Sequence, residues 1–219
     1  MSDIRCPCCE NLLTTTGSAL KCDFCGCVFF KKNASEISMT KGEVSQEARR
    51  IEHVLSAGKA LVIGDKRLAE RLASKKLRTA FTPDAQSFDP AAGPFELIHL
   101  PFLLPDPAGL PEFVANICGA LSDTGVLRVL TLNARSRTVS RRERDGDTAL
   151  TDEGLIAMLD RAGFRSIVLD RRSFLRGARL MAGQNADPSG AALTACYRLP
   201  AWFEARFGQG AVLAAFAWK

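Results

Sequence analysis

The period of the apolar positions changes along the chain, and the changes sort it into elements. Val44, Ala48, Ile51, Val54 and Leu55 recur at helical spacing. Thr40 and Glu43 stand just before them at the spacing of a capping box, so a helix is expected to open there and to end by Gly58. Residues 59–64 are a short apolar run that fits a buried strand, and residues 68–77 return to a helical pattern. Strands are expected at 78–82, 95–100 and 126–132. A helix with proline at its start is expected over 111–121, and a turn over 122–125. Thr151 caps a further helix that ends at Ala162 and Gly163, and a strand follows over 164–170. Residues 197–207 read as a short helical or irregular element, and 211–218 as a final strand. Strands alternating with helices imply an α/β domain with a mostly parallel sheet covered on both faces. The last strand suits an antiparallel edge.

The first thirty residues do not follow this rhythm. Cys6 and Cys9 form one C-x-x-C, Cys22 and Cys25 a second, with twelve residues between. Each C-x-x-C presents two thiolates from one tight turn, and two such turns close a tetrahedron around Zn²⁺, so residues 1–32 read as a zinc ribbon. A module this small cannot bury a core of its own, and a metal would supply much of its folding energy. A closed four-cysteine site leaves no position for a substrate, which argues for a structural role. A thiol-redox centre is the other reading of the pairs. Cys8 and Cys27 are extra, and ligation through either stays open.

Composition narrows the setting. Six of the eight cysteines lie within the first 27 residues, with no leading apolar segment, which favours a reducing cytoplasm over a disulfide framework. No apolar run approaches the length that spans a bilayer. The net charge of +5 is concentrated between residues 128 and 179, where twelve arginines, no lysine and seven acidic residues lie. Arg135, Arg137, Arg141, Arg142 and Arg144 form an arginine-rich loop whose forked guanidinium groups suit carboxylate or phosphate. That loop carries no aromatic residue on which bases could stack. A solvated basic face is the alternative reading.

From residue 59 to the end, the order of motifs resembles a class I S-adenosylmethionine-dependent methyltransferase. Residues 59–65 resemble its first strand, 83–98 its approach to strand four, 106–127 the following helix, turn and strand, 151–164 the helix closing in A-G-F, and 207–219 the last strand. The cysteine module resembles ribbons fused to some methyltransferases and small free-standing methyltransferase activators. The resemblance implies a Rossmann-like sheet behind a zinc ribbon: ribbon over 1–32, linker and lead-in helix over 33–58, α/β domain over 59–219. It implies that Gly64, Asp65 and Asp84 face the cofactor, and that His99 and Phe102 face the acceptor.

The chain also departs from the family. The family's first turn is rich in glycine so that backbone can approach the cofactor. Here it reads Gly64-Asp65-Lys66-Arg67, and only about 30 residues separate it from Phe95, roughly a helix and a strand short. Asp65 then reads equally as a helix cap and Asp84 as a turn residue. The expectation is a non-catalytic binding or assembly factor that contacts a protein or RNA through the ribbon and the arginine loop. The alternatives are an active methyltransferase on RNA, protein or a polar metabolite, and direct nucleic-acid binding.

Overall fold

The computed structural model describes residues 4–17, 19–30, 39–75, 77–102, 104–136, 139, 148–170, 198–207 and 210–219. Three short strands lie at the front, β1 (Thr14–Thr16), β2 (Ala19–Lys21) and β3 (Val28–Phe30), paired antiparallel in that order. Helix α1 (Lys41–Val54) follows, with the capping box in place: the Glu43 amide donates to the Thr40 hydroxyl, and the Thr40 amide donates to the Glu43 carboxylate. Next come β4 (Gly58–Ile63), α2 (Lys66–Ala73), β5 (Leu77–Thr82), a 3₁₀ turn (Pro90–Ala92), β6 (Phe95–Pro101), α3 (Leu110–Ala120) and β7 (Leu121–Asn133). The chain closes with β8 (Ala149–Leu150), α4 (Asp152–Arg161), β9 (Ser166–Leu169), α5 (Arg198–Arg206) and β10 (Val212–Trp218).

The central sheet runs β5-β4-β6-β7-β10-β9. Strands β4 to β7 are mutually parallel, and β10 is antiparallel to both its neighbours. The last strand is therefore not at the edge; it lies inside, with β9 outside it. The expected turn at 122–125 belongs to β7. Pairing with β6 jumps from Phe95–Leu121 to Leu97–Val126, so these residues form a bulge within one long strand.

Side-chain alternation divides the core between the two faces of the sheet. On one face, Val62, Leu97, Val126 and Phe216 meet Val44, Ala48 and Ile51 of α1 and Leu68 and Leu72 of α2. On the other, Leu61, Ile98, Leu127, Val129 and Leu213 meet Val114 and Ile117 of α3 and Leu155 and Leu159 of α4. The cysteine module joins this second layer. Strand β8 pairs with the C-terminal end of β7 and with Val28 of β3, so the ribbon's strands continue the sheet. Cys8, Cys27 and Phe29 are buried in the same cluster as Leu150 and Leu155.

Candidate functional site

Two places carry the chemistry singled out in the sequence. The first is the cysteine module. Its two turns are built alike: the Glu10 amide donates to the Cys6 carbonyl at 2.8 Å, and the Gly26 amide to the Cys22 carbonyl at 2.8 Å. The residue after each second cysteine has positive φ, 62° at Glu10 and 74° at Gly26. Gly26 adopts this at no steric cost, whereas Glu10 is held in a region that L side chains disfavour. The result is convergence. The four sulfurs of Cys6, Cys9, Cys22 and Cys25 lie within 4.8 Å of one another, with Cys6 to Cys25 at 3.6 Å and Cys9 to Cys22 at 3.3 Å. Zinc–sulfur bonds of about 2.3 Å place tetrahedral sulfurs about 3.8 Å apart, so the set fits a zinc ion with small adjustments. The surroundings act unequally on the four: contact with Cys8 outweighs burial and pulls the Cys6 thiol down to about 5, whereas burial pushes the Cys22 and Cys25 thiols up.

The module is also fastened to α4. Thr151 caps that helix through the Gly154 amide, and its hydroxyl donates onward to the Cys25 carbonyl at 3.1 Å. Arg161 at the far end of α4 donates to the carbonyls of Pro7 and Cys8. A half-open groove of about 470 Å³ remains between the first turn and α3, lined by Ile4, Arg5, Pro107, Pro111 and Arg161.

The second place is the turn after β4. Gly64 has φ +83° and donates its amide to the Thr82 carbonyl on β5. Asp65 does not face outward. It is 4% exposed; one carboxylate oxygen caps α2 by accepting the Leu68 amide at 3.0 Å, and the other accepts the Met39 amide at 3.1 Å. The Arg67 guanidinium donates to the Met39 carbonyl and lies 3.9 Å from Asp65. Buried Met39, from the segment leading into α1, is thus tied to the turn at both backbone atoms. Asp84 is exposed and accepts the Ser87 amide at 2.7 Å; the Ser87 side chain, and then this amide, hold its carboxyl below the usual range. Among the described residues no strand separates β5 from β6, and β5 ends at Thr82 without an acidic residue. At this turn the Asp65 carboxylate is buried and already accepts two backbone amides, so it does not present a free face to a cofactor ammonium, and the acid next beyond β5 is exposed Asp84.

His99 and Phe102 are both buried, in different surroundings. His99 is fully buried under α1, its Nε2 3.4 Å from Glu47 Oε1, with no well-aligned hydrogen bond to either ring nitrogen among the described residues. Phe102 has φ +55°, and its ring is buried against Leu130, Ala149 and Val212. Of the five arginines, Arg135 pairs with Glu153 at 2.8 Å, both side chains well exposed, and such a pair contributes little. Arg137, Arg141, Arg142 and Arg144 lie outside the described residues.

Around His99 the structure adds a site that sequence reasoning missed. Arg128 of β7 is fully buried and grips Glu47 with two nitrogens while one of them also reaches Asp170 at 3.1 Å. Arg50 sits beside both acids at 3.3 Å. The Phe216 ring lies 4.3 Å from the Arg128 guanidinium. Burial opposes ionisation of Glu47, but Arg128 and His99 outweigh it and hold the carboxyl well below the ordinary carboxylate range. The signal was present in the sequence: Glu47 shares the apolar face of α1 with Val44, Ala48 and Ile51, and Arg128 interrupts an apolar strand. A charge in such a place needs a partner.

No family model matches the sequence, and no curated protein is significantly similar to it. Solved structures share its fold. A phosphoethanolamine N-methyltransferase from Haemonchus contortus, in complex with S-adenosyl-L-methionine, matches with TM-score 0.52 and 12% identity, over 80% of this chain and 52% of that one. A S-adenosylmethionine-dependent methyltransferase from Archaeoglobus fulgidus matches with TM-score 0.50 and 12% identity, over 80% and 92%. The 1,6-didemethyltoxoflavin-N1-methyltransferase of Burkholderia thailandensis matches with TM-score 0.50 and 11% identity, over 82% and 79%. With its β5-β4-β6-β7-β10-β9 order and these structural counterparts, the chain has the class I S-adenosylmethionine-dependent methyltransferase fold, joined at its front to a four-cysteine module that could hold zinc.

Proposed function

We propose that this protein is a binding or assembly factor that uses the methyltransferase fold as a scaffold and zinc as a structural element, and that it does not transfer methyl groups. One observation carries the reading: both oxygens of Asp65 are engaged by backbone amides of its own chain, at Leu68 and Met39. The carboxylate is also only 4% exposed, so a cofactor ammonium could reach it only if the segment at Met39 moved and gave up a buried hydrogen bond, which costs about 1–3 kcal/mol to leave unmade. The ribbon supplies a surface for a partner. Phe24, at the tip of the second cysteine turn, is 80% exposed, and Leu12 is also exposed. An exposed apolar tip on a rigid metal turn favours a protein partner, whereas an RNA partner would draw on the arginine loop. Equilibrium binding of S-adenosylmethionine to the zinc-loaded chain tests the central point: no binding is expected into the millimolar range.

The second reading is an active methyltransferase. It is favoured by the match to a structure that holds S-adenosyl-L-methionine. It requires the segment at Met39 to leave the turn. Micromolar cofactor binding by the wild type, lost in Asp65→Ala, would establish it in place of the scaffold.

A further inference from the structure

Helix α5 carries its apolar side outward. Leu199, Trp202, Phe203 and Phe207 are between 44% and 73% exposed, whereas Ala201 is buried. The Phe207 amide donates to the Phe203 carbonyl at 3.1 Å, which carries the helical turn on to Phe207. Residues 199, 202, 203 and 207 therefore share one face at helical spacing, and Ala201 points away from it. The Trp202 and Phe203 rings meet edge to face, with centroids 5.1 Å apart. A surface helix ordinarily turns such a stripe to the core, and an exposed apolar patch marks contact with something else. The charge around the stripe says what that is. Arg198 and Arg206 are exposed at its two ends. From residue 171 to residue 210 the sequence holds six arginines, no lysine and two acidic residues, which accounts for +4 of the chain's net charge of +5.

We propose that α5 docks the protein on an anionic membrane surface. The helix lies flat in the interfacial layer, with Leu199, Trp202, Phe203 and Phe207 toward the acyl chains and Arg198 and Arg206 against lipid phosphates. Tryptophan and phenylalanine suit that depth, and leucine adds apolar area. An arginine beside them can run its apolar stem along the patch and keep its guanidinium among the headgroups. The forked guanidinium takes a phosphate through two parallel hydrogen bonds. The contact is along the surface: among the described residues no helix is long and apolar enough to cross a membrane. A helix of nine residues has little apolar area to offer, so the basic charge has to add to it, and binding should need both.

The competing occupants are a groove on another protein and a second copy of this chain. Either has to match the stripe in shape, whereas a bilayer asks only for apolar side chains with cations at their margins. Vesicle binding separates them. The full-length, zinc-loaded chain is sedimented with vesicles of phosphatidylcholine alone and of phosphatidylcholine mixed equally with phosphatidylglycerol. Binding to the mixed vesicles is expected, and it should fall about tenfold or more in Trp202→Ser/Phe203→Ser. It should also weaken with added salt and in Arg198→Gln/Arg206→Gln. No binding to the mixed vesicles, or equal binding by Trp202→Ser/Phe203→Ser, overturns the proposal. A wild-type dimer that ignores the vesicles overturns it as well and gives the face to a second copy. Fluorescence adds a readout that leaves α5 intact. The chain has two tryptophans, so Trp218→Phe keeps only Trp202. Brominated lipid should quench its emission in the vesicle-bound protein, and unquenched emission contradicts the docking of this face.

Discussion

The cysteine turns and the turn after β4 are made from similar parts and face opposite ways. Each has a residue with positive φ whose amide donates to a carbonyl of the chain: Glu10 and Gly26 in the first case, Gly64 in the second. In the ribbon, four side chains of one kind converge on a space between them. After β4, the side chain that could have faced a ligand turns inward and is consumed by the chain itself. A turn becomes a site when its polar groups are left for something else to satisfy. The first gathers four sulfurs that could hold an ion; in the second the Asp65 carboxylate is already held by two backbone amides.

The largest effect is expected from breaking the first arrangement. A strong chelator, or Cys22→Ser, should abolish ordered structure in residues 4–30, because structural zinc contributes on the order of 10 kcal/mol in modules of this size. Protease sensitivity of the first thirty residues, compared with the rest of the chain, reads this directly. Equal resistance with and without metal would remove the distinction between the two regions.

Next come the buried charges beneath the second region. Arg128→Met removes the fully buried one of the two guanidinium groups that Glu47 and Asp170 share, leaving Arg50, and should cost about 3–5 kcal/mol in urea unfolding. The pH dependence has a definite sign. Glu47 is ionised in the folded state with its affinity for protons lowered, so its stabilisation is full above the usual carboxylate range near 4.5 and is lost as pH falls below it. Acid unfolding of Glu47→Gln should therefore be shallower than that of the wild type. An unchanged profile would mean that the cluster does not carry this linkage.

Smaller effects come from the joints. Gly154→Ala would drive a methyl group to 2.4 Å from Cys27 Sγ and should cost about 1–3 kcal/mol, with the loss felt in both ribbon and sheet. Asp65→Ala removes the cap of α2 and the tie to Met39 and should cost about 1–2 kcal/mol. On the scaffold reading it changes no cofactor affinity.

Much of this architecture was legible in the sequence because it rests on local rules. The α1 capping box, the Thr151 cap and the helix stop at Gly163 require only neighbouring residues, and all three stand. The C-x-x-C spacing fixed which sulfurs converge, since two ligands in one tight turn have little freedom. What stayed hidden depends on long-range pairing. Nothing near residue 211 says that β10 enters between β7 and β9, because an apolar run fits an interior strand or an edge equally well. The bulge at 122–125 looked like a turn because Ser, Asp, Thr and Gly suit either. Arg128 was counted with a basic surface, although its neighbours Leu127 and Val129 placed it inside a strand; its partners lie 81 and 42 residues away. Asp65 reads in the sequence as a helix cap or a cofactor contact; the cap is observed, and its second oxygen accepts the amide of Met39, a residue 26 positions earlier that no local rule points to.

The central claim is that the turn after β4 is closed by its own chain. Isothermal titration of the zinc-loaded protein with S-adenosylmethionine tests it most directly. The account predicts no saturable heat at any concentration up to the millimolar range, for the wild type and for Asp65→Ala alike. Saturable binding at micromolar concentration in the wild type would contradict it.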